Sequence, residues 1–327
     1  MKIRAAIVFV LGALAASHAA IPAAAQTWPS RTITLVVPFA AGGGTDAIGR
    51  VVAEKLAARL GQPVVVENKA GAASAIGTAY VAKAAADGYT LLMTTNSAMV
   101  ILPLTQAAGS LNYDRADFAM IGLTGILPNL LIVSPKIPAN SVSELIAYAK
   151  ARPGQLSFAS SGNGTITHLI GELFKARTGI DVVHVPYRTG VQSAPDVMEG
   201  RVQYIFDNII WSLPMIRAGQ LKGLAITTSQ RSTLAPDIPT VAESGVPGFE
   251  GITWLGLVAP AKTPEPVIAR LAAELKAVLA DKETIAKLAA TGAEPPAAPG
   301  PDGMSALLDE DIARWRGILS DGKIKLQ

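Results

Sequence analysis

Residues 33–61 read ITLVVPFAAGGGTDAIGRVVAEKLAARLG, a complete strand–turn–helix unit. Ile33–Phe39 is a short, continuous, β-branched apolar run, the pattern of a strand buried on both faces. Ala40-Ala41-Gly42-Gly43-Gly44 breaks it, and Thr45 or Asp46 is expected to cap the helix that follows. In that helix Ile48, Val51, Val52, Leu56 and Leu60 recur at helical spacing, and Gly61 is expected to stop it. Val64–Glu67 and Thr90–Thr94 read as two further strands with an Ala-rich helix between them. Strand, helix, strand at this spacing predicts parallel pairing with right-handed crossovers.

A second series of the same plan follows Pro128. Leu130–Val133 reads as a strand, and Ser141-Val142-Ser143-Glu144 as a capping box opening a helix to about Ala151. Leu156–Ala159 is a strand, Ser160–Gly164 a Gly-rich turn, and Thr165–Thr178 a helix ended by Gly179. Strands are expected at Val182–Val185, Tyr204–Asp207 and Leu224–Thr227, with a short helix near Ala194–Glu199. Leu234–Phe249 reads as an ordered connector, and Gly251–Val258 as a strand. Thr263-Pro264 should open the first of about three amphipathic helices, a cap followed by Pro at the first helical position. The expected class is α/β: two lobes and a C-terminal helical segment, alike in plan but without a residue-level repeat.

The chain has 327 residues, enough for about two domains at ~150 residues each. Hydrophobic residues make up 50% and charged residues 16%, which excludes a disordered protein. The longest apolar run, Ala5–Ala16, is shorter than the ~18–20 residues of a spanning helix. Later runs are interrupted, as Ala119–Val133 is by Thr124, Pro128 and Asn129. Met1–Arg4 is a basic n-region, Ala5–Ala16 an h-region, and Ala23-Ala24-Ala25 an A-x-A cleavage site. Residues 1–25 therefore read as a signal peptide, with a mature start at Gln26 and export of the rest. Loss of Lys2 and Arg4 leaves 26 basic against 25 acidic side chains, a balance that draws neither nucleic acid nor a membrane surface. The absence of cysteine excludes disulfides, thiolate zinc sites, a cysteine nucleophile and a lipidated cysteine.

Two Gly-rich turns, Phe39–Asp46 and Ser160–Thr167, end strands and open helices, where exposed N–H groups and the helix dipole favour an anion. Such turns also serve simple chain reversal. Neither contains Lys or Arg. Gly42–Ala47 satisfies G-x-G-x-x-A, with Glu67 ending the next strand, so a dinucleotide-dependent oxidoreductase is the alternative reading; Asp46 would then crowd a pyrophosphate. No G-x-S-x-G, P-loop or H-E-x-x-H motif occurs. His168 and Glu172 stand i,i+4 but are too few for a metal site, and a structural histidine is the simpler reading. Ser160 or Ser161 with His168 imitates a dyad without an orienting acid. His184, between Val183 and Val185, reads as packed or loop-facing. Asp207 ends a strand, facing a cleft or capping the next helix.

Taken in order, these stretches resemble the Bug/TctC family of periplasmic solute-binding proteins of tripartite tricarboxylate-type transport. The likeness begins at Trp28-Pro29 and VVPFAAGGGTD (36–46), and continues through LGQPVVVENKAGAASAIG (60–77), DGYTLL (87–92) and NYDRADFAMIGL (112–123). It runs on through SVSELIAYAKARPGQLSFASSGNGTITHLIGELF (141–174), VVHVPYR (182–188), IFDN (205–208) and AGQLKGLAITTSQRS (218–232). PDIPTVAESGVPGFE (236–250) and WLGLVAPAKTP (254–264) complete it. Ala41 stands where Pro is usual, Thr189 and Lys262 where Gly is usual, and the region after Asn96 departs from the common wording.

The resemblance implies a two-lobed, type II-like Venus flytrap, each lobe a mainly parallel sheet flanked by helices. The lobes would be 26–123 plus 251–327, and 124–250. It implies a small carboxylate ligand (a di- or tricarboxylate, aromatic acid or acidic amino acid), no catalysis, no cofactor and no metal. It also implies a periplasmic location and a monomer that serves the membrane components of a transporter or, alternatively, a sensor kinase. Carried over, the first loop supplies Phe39, Ala40, Gly43, Thr45 and Asp46. The second supplies Ser160, Ser161, Gly162, Gly164 and Thr165, with Thr95 and Asp207 as wall residues. With no basic side chain in either loop, anion recognition is expected to rest on backbone N–H groups, hydroxyls and water.

Overall fold

The computed structural model describes residues 28–107, 109–322 and 324, so the signal-peptide reading lies outside the described residues. The chain forms two five-stranded sheets. In the first, β1 (Ile33–Val37), β2 (Val64–Asn68), β3 (Thr90–Thr95), β4 (Phe118–Leu127) and the late strand β10 (Thr253–Pro260) lie in the order β2-β1-β3-β10-β4. In the second, β5 (Asn129–Val133), β6 (Leu156–Ser160), β7 (Val182–Pro186), β8 (Tyr204–Asn208) and β9 (Lys222–Ile226) take the order β7-β6-β8-β5-β9.

As expected, β1 pairs in parallel with β2 and β3, and β6 with β7 and β8. The inserted strands run the other way: β10 is antiparallel to β3 and β4, and β5 to β8 and β9. Both sheets are therefore mixed rather than mainly parallel. β5 and β10 follow the two chain crossings between the sheets, and each enters its sheet against the direction of the βαβ strands. The two sheets thus share one plan.

β4 has no counterpart among the expected strands. Its glycines answer to packing: a Cβ on Gly122 would stand 2.2 Å from Pro299 O, and one on Gly125 3.3 Å from Ala293 Cβ. Two register shifts let β10 follow this irregular strand.

The helices are α1 (Gly44–Leu60), α2 (Ala75–Ala82), α3 (Leu102–Thr105), α4 (Val142–Lys150), α5 (Ile166–Thr178), α6 (Gly190–Met198), α7 (Ile209–Arg217), α8 (Glu265–Ala280), α9 (Lys282–Ala290) and α10 (Pro301–Ser320). Gly61 and Gly179 end α1 and α5 in the left-handed conformation, as their positions predict. Several caps differ from expectation. The N-cap of α1 is Gly43, with no side-chain bond, because Asp46 turns back to accept the Gly42 N–H (3.0 Å) and pairs with Arg50. Ser141 caps α4, but Glu144 accepts from Asn140 N–H instead of closing the box on Ser141. Pro264, not Thr263, holds the N-cap position of α8. α6 begins at Gly190, earlier than expected, and α7, the helix after Asp207, is capped at Asn208 and not at Asp207.

One apolar cluster runs through both halves, joining Val36, Leu92 and Trp254 to Phe158, Phe174 and Tyr204. The outer faces are filled separately, around Leu35, Ile48 and Leu271 in the first half and Ile132, Val197 and Ile205 in the second. The chain crosses between sheets at Pro128 and again between Thr227 and Thr253. Asn129 Nδ2 donates across this junction to Gly251 O (3.3 Å) and Thr253 Oγ1 (3.2 Å). Thr227 Oγ1 lies 2.5 Å from Gly251 O, so the two crossings are tied side by side.

Candidate functional site

The carboxyl ends of the strands in both sheets open on one cavity, about 600 Å³ of atom-free space including its mouth. This is where parallel α/β strands present ligand-facing loops. Four helix N-termini meet there: α1 through Gly43, Gly44 and Thr45, α5 through Thr165, Ile166 and Thr167, α6 through Thr189, Gly190 and Val191, and α7 through Asn208 and Trp211. The N-caps of α1, α6 and α7 make no side-chain capping bond. All three termini carry the positive end of the dipole, although Gln192 N–H of α6 already donates to Thr189 O and Ile209 N–H of α7 to Pro128 O. At α5, Thr165 Oγ1 accepts the His168 N–H, while Ile166 N–H crosses to Ser97 Oγ of the first half (3.1 Å).

Two polar atoms in this wall are buried without a partner among the described residues, Thr95 Oγ1 and Asn208 Oδ1. Asp207 is also buried, accepting from Asn208 N (2.9 Å) and Trp211 Nε1 (2.8 Å). It lies against the start of α6, where a Cβ on Gly190 would stand 1.2 Å from Asp207 Oδ2. Burial pushes its carboxyl up to about 6 in spite of these donors. The single basic side chain on the wall is Arg188, exposed and without an ion-pair partner among the described residues.

Of the residues expected at the site, Phe39, Gly43, Thr45, Thr95, Ser161, Thr165 and Asp207 line this cavity. Ala40 and Gly162 line an adjoining chamber that shares Phe39, Ser161 and Arg188 with it. The other three lie behind the wall. Ser160 is fully buried with its Oγ 2.6 Å from His184 Nε2, Gly164 donates its N–H to His168 Nδ1 (3.2 Å), and Asp46 is held by Gly42, Arg50 and Asn68. The imitated dyad is thus made with His184, not His168, and Glu172 pairs with Lys175.

Arg188, Thr189 and Gly190 were missed. They form a third strand-to-helix turn, after β7, and its single glycine gave no Gly-rich signal. The two Gly-rich loops contain no basic side chain, as expected, and this third turn brings Arg188 onto the wall.

Residues 48–324 match the model of TctC, the tripartite tricarboxylate transporter family receptor. The chain belongs to this family. Protein BugT of Bordetella pertussis is 38% identical over 314 residues, 96% of each chain. An R. palustris protein solved with adipate is 38% identical, with a TM-score of 0.85 over 90% of this chain and 97% of its own. MatC from Rhodopseudomonas palustris, with bound malate, is 32% identical, with a TM-score of 0.83 over 89% and 99%.

The chain is thus a periplasmic binding protein of two-lobed fold and not an enzyme. The dinucleotide reading of Gly42–Ala47 falls with this, for a physical reason as well. Asp46 already occupies the Gly42 N–H that a pyrophosphate would need, and Glu67 pairs with Lys69.

Asp207 gives this receptor a testable pH dependence. Its folded value lies above the ordinary 3.8, so the stability it contributes is full below about 3.8 and is lost as pH rises through about 6. The loss is of the order of 3 kcal/mol. Asp207→Asn forgoes one acceptor, at about 1 kcal/mol. We expect this variant to be about 1–2 kcal/mol more stable than wild type at pH 7.5 in thermal melts, with the advantage gone at pH 4. A difference that stays flat across this range would mean that Asp207 is not held protonated by burial.

Proposed function

We propose that the protein captures a small carboxylate at the helix N-termini between its lobes and presents it to the membrane components of a tripartite tricarboxylate-type transporter. The observation that carries this reading is the convergence of three uncapped helix N-termini, together with Arg188, on one cavity. The carboxylates bound by the adipate and malate proteins point the same way. Hydrogen bonds to an ionised group contribute roughly 1.5–3 kcal/mol each, and a well-placed helix terminus up to ~2 kcal/mol. Three such donors and one terminus together reach the roughly 8 kcal/mol of micromolar capture. The adjoining chamber favours ligands whose second group extends beyond the captured carboxylate.

In this reading the lobes are joined at Pro128 and Gly251. We put the division between them after Leu127, where β4 ends, four residues beyond 123/124. Export follows cleavage after Ala25, and the mature protein acts as a monomer. Ligand contacts that differ between open and closed lobes drive closure.

Mass spectrometry of ligand carried through native purification, followed by a thermal-shift screen, tests the proposal. Carboxylates at 100 times their Kd should stabilise the protein by about 2.7 kcal/mol, and small-angle scattering should show a smaller radius of gyration. A copurified cation, with no carboxylate raising the melting temperature, would sink it.

A further inference from the structure

Behind the second Gly-rich turn lie two buried histidines that the carboxylate reading does not use. His168, in the first turn of α5, and His184, on β7, stack face to face with ring centroids 3.9 Å apart and planes at 13°. Phe158 of β6 continues the stack, 4.8 Å from His184. Each ring holds one end of the turn. Gly164 N–H donates to His168 Nδ1 (3.2 Å). At the other end, Ser160 Oγ sits 2.6 Å from His184 Nε2 and accepts the Gly162 N–H (3.1 Å).

A backbone N–H can only donate, so His168 Nδ1 must carry a lone pair and the ring proton must sit on Nε2. Gly164 takes a left-handed φ of +76° at this bond, and the next residue, Thr165, is both the N-cap of α5 and part of the cavity wall. Thr165 Oγ1 in turn donates to Gly162 O (2.7 Å), and Ser161 N–H to Thr167 Oγ1 (3.0 Å). The imidazole acceptor is therefore one bond away from the residues that face the cavity.

We propose that His168 is a positioning residue: its neutral Nδ1 clamps the Ser160–Thr165 turn in the form that faces the cavity, and protonation of that nitrogen releases the turn. A proton on Nδ1 would set two donors against each other, and the Gly164 contact would be lost. The Ser160–His184 bond survives protonation, because the hydroxyl can accept from either state of the ring. The step therefore belongs to His168.

The charges around the pair keep it neutral. Lys175 on α5 faces both rings, and Glu172 on the same helix is taken up by Lys175 at 2.9 Å. β8 contributes the buried Tyr204, β6 only Phe158 and Ser160, and neither brings a free carboxylate to an imidazolium. Burial, aided by Lys175, pushes His168 down to about 4, and burial with the neighbouring ring pushes His184 to about 3. The stability that depends on neutral rings is whole above about 6.5 and is lost as pH falls from there through about 4.

Release of the turn needs no ligand to be seen; only its effect on capture rests on the function proposed above. The test is an NMR titration of the full mature chain from pH 7 to 3.5, following the His168 ring Cε1–H and the amides of Gly162 and Gly164. The expected result is a His168 ring neutral down to pH 5 or below, with the Gly164 amide moving at the same midpoint while amides of the first sheet stay still. His168→Gln, which keeps an acceptor but cannot titrate, should abolish the Gly164 step. A ring that titrates near 6.5, a Gly164 amide that ignores the ring, or all amides moving together in global unfolding would each overturn the proposal. Should His168→Gln fail to fold, the wild-type titration decides alone.

Discussion

Gly43→Asp should weaken carboxylate capture by about two to three and a half powers of ten while leaving the protein at least as stable as wild type. Gly43 is the N-cap of α1, at φ −84° and ψ 171°, extended backbone open to any residue. A Cβ there would meet nothing nearer than Ala40 O at 3.6 Å, so the substitution carries no steric cost. Asp is a preferred N-cap, and its carboxylate can accept the first-turn N–H groups that α1 leaves free, which adds a few tenths of a kcal/mol over the Gly cap. The same carboxylate then occupies the position proposed for the ligand's, and the ligand forfeits about 3–5 kcal/mol of charged hydrogen bonds and dipole attraction. Binding and stability move in opposite directions, a pattern that misfolding cannot imitate. Calorimetry with a melting curve on the same sample reads both. Gly43→Ser, a cap without charge, should fall between the two. Normal binding by folded Gly43→Asp would remove α1 from the site.

The paired substitution in the second turn, Gly164→Asp, is the poorer experiment. Gly164 has φ +76°, its Cβ would lie 3.2 Å from Leu102 Cδ2, and its N–H is bound to His168. Strain and loss of the clamp would mix with any effect of charge.

The second large effect concerns the ligand. Once a native ligand is known, its methyl ester and primary amide should bind about 3–5 kcal/mol more weakly than the acid at one pH, a loss of roughly 10² to 10³·⁵ in affinity. The acid alone satisfies several N–H donors with full charge, whereas the neutral analogues keep one weaker acceptor. Comparing ester with amide separates charge from bulk. Arg188 adds little to this difference. Its guanidinium is exposed and screened, so Arg188→Gln should cost less than about tenfold and its effect should fade in high salt. If both neutral analogues bind within about tenfold of the acid, capture of an anion is the wrong mechanism, even though the two-lobed fold stands.

Much of the molecule could be read from the chain alone, because the relevant physics is local. The apolar run of β1, the helical spacing of Ile48, Val52 and Leu56, and the stops at Gly61 and Gly179 depend on neighbours a few residues away, and these elements form where expected. The family was legible for the same reason, through many short stretches in the right order. The elements that escaped depend on distant partners. β4 carries glycines that weaken an ordinary strand, and they suit it because Pro299 packs against Gly122 and Ala293 against Gly125. α7 is short and contains Pro214, so no periodic stripe announces its extent.

Within the candidate site the division is sharper. The sequence by itself determined that two Gly-rich turns end strands and open helices, since the strand pattern, the glycine run and the helical stripe all lie within thirty residues of one another in ITLVVPFAAGGGTDAIGRVVAEKLAARLG. Only the tertiary structure decided which members of those turns face the cavity. Ser160 and Gly164 turn away because two histidines stack behind them, Asp46 because Asn68 and Arg50 hold it, and Arg188 joins because β7 lies beside β6. The Gly164–His168 and Asp46–Arg50 bonds are local, four residues apart, but Ser160–His184 and Asp46–Asn68 span more than twenty, and no local pattern in the chain encodes those distant partners.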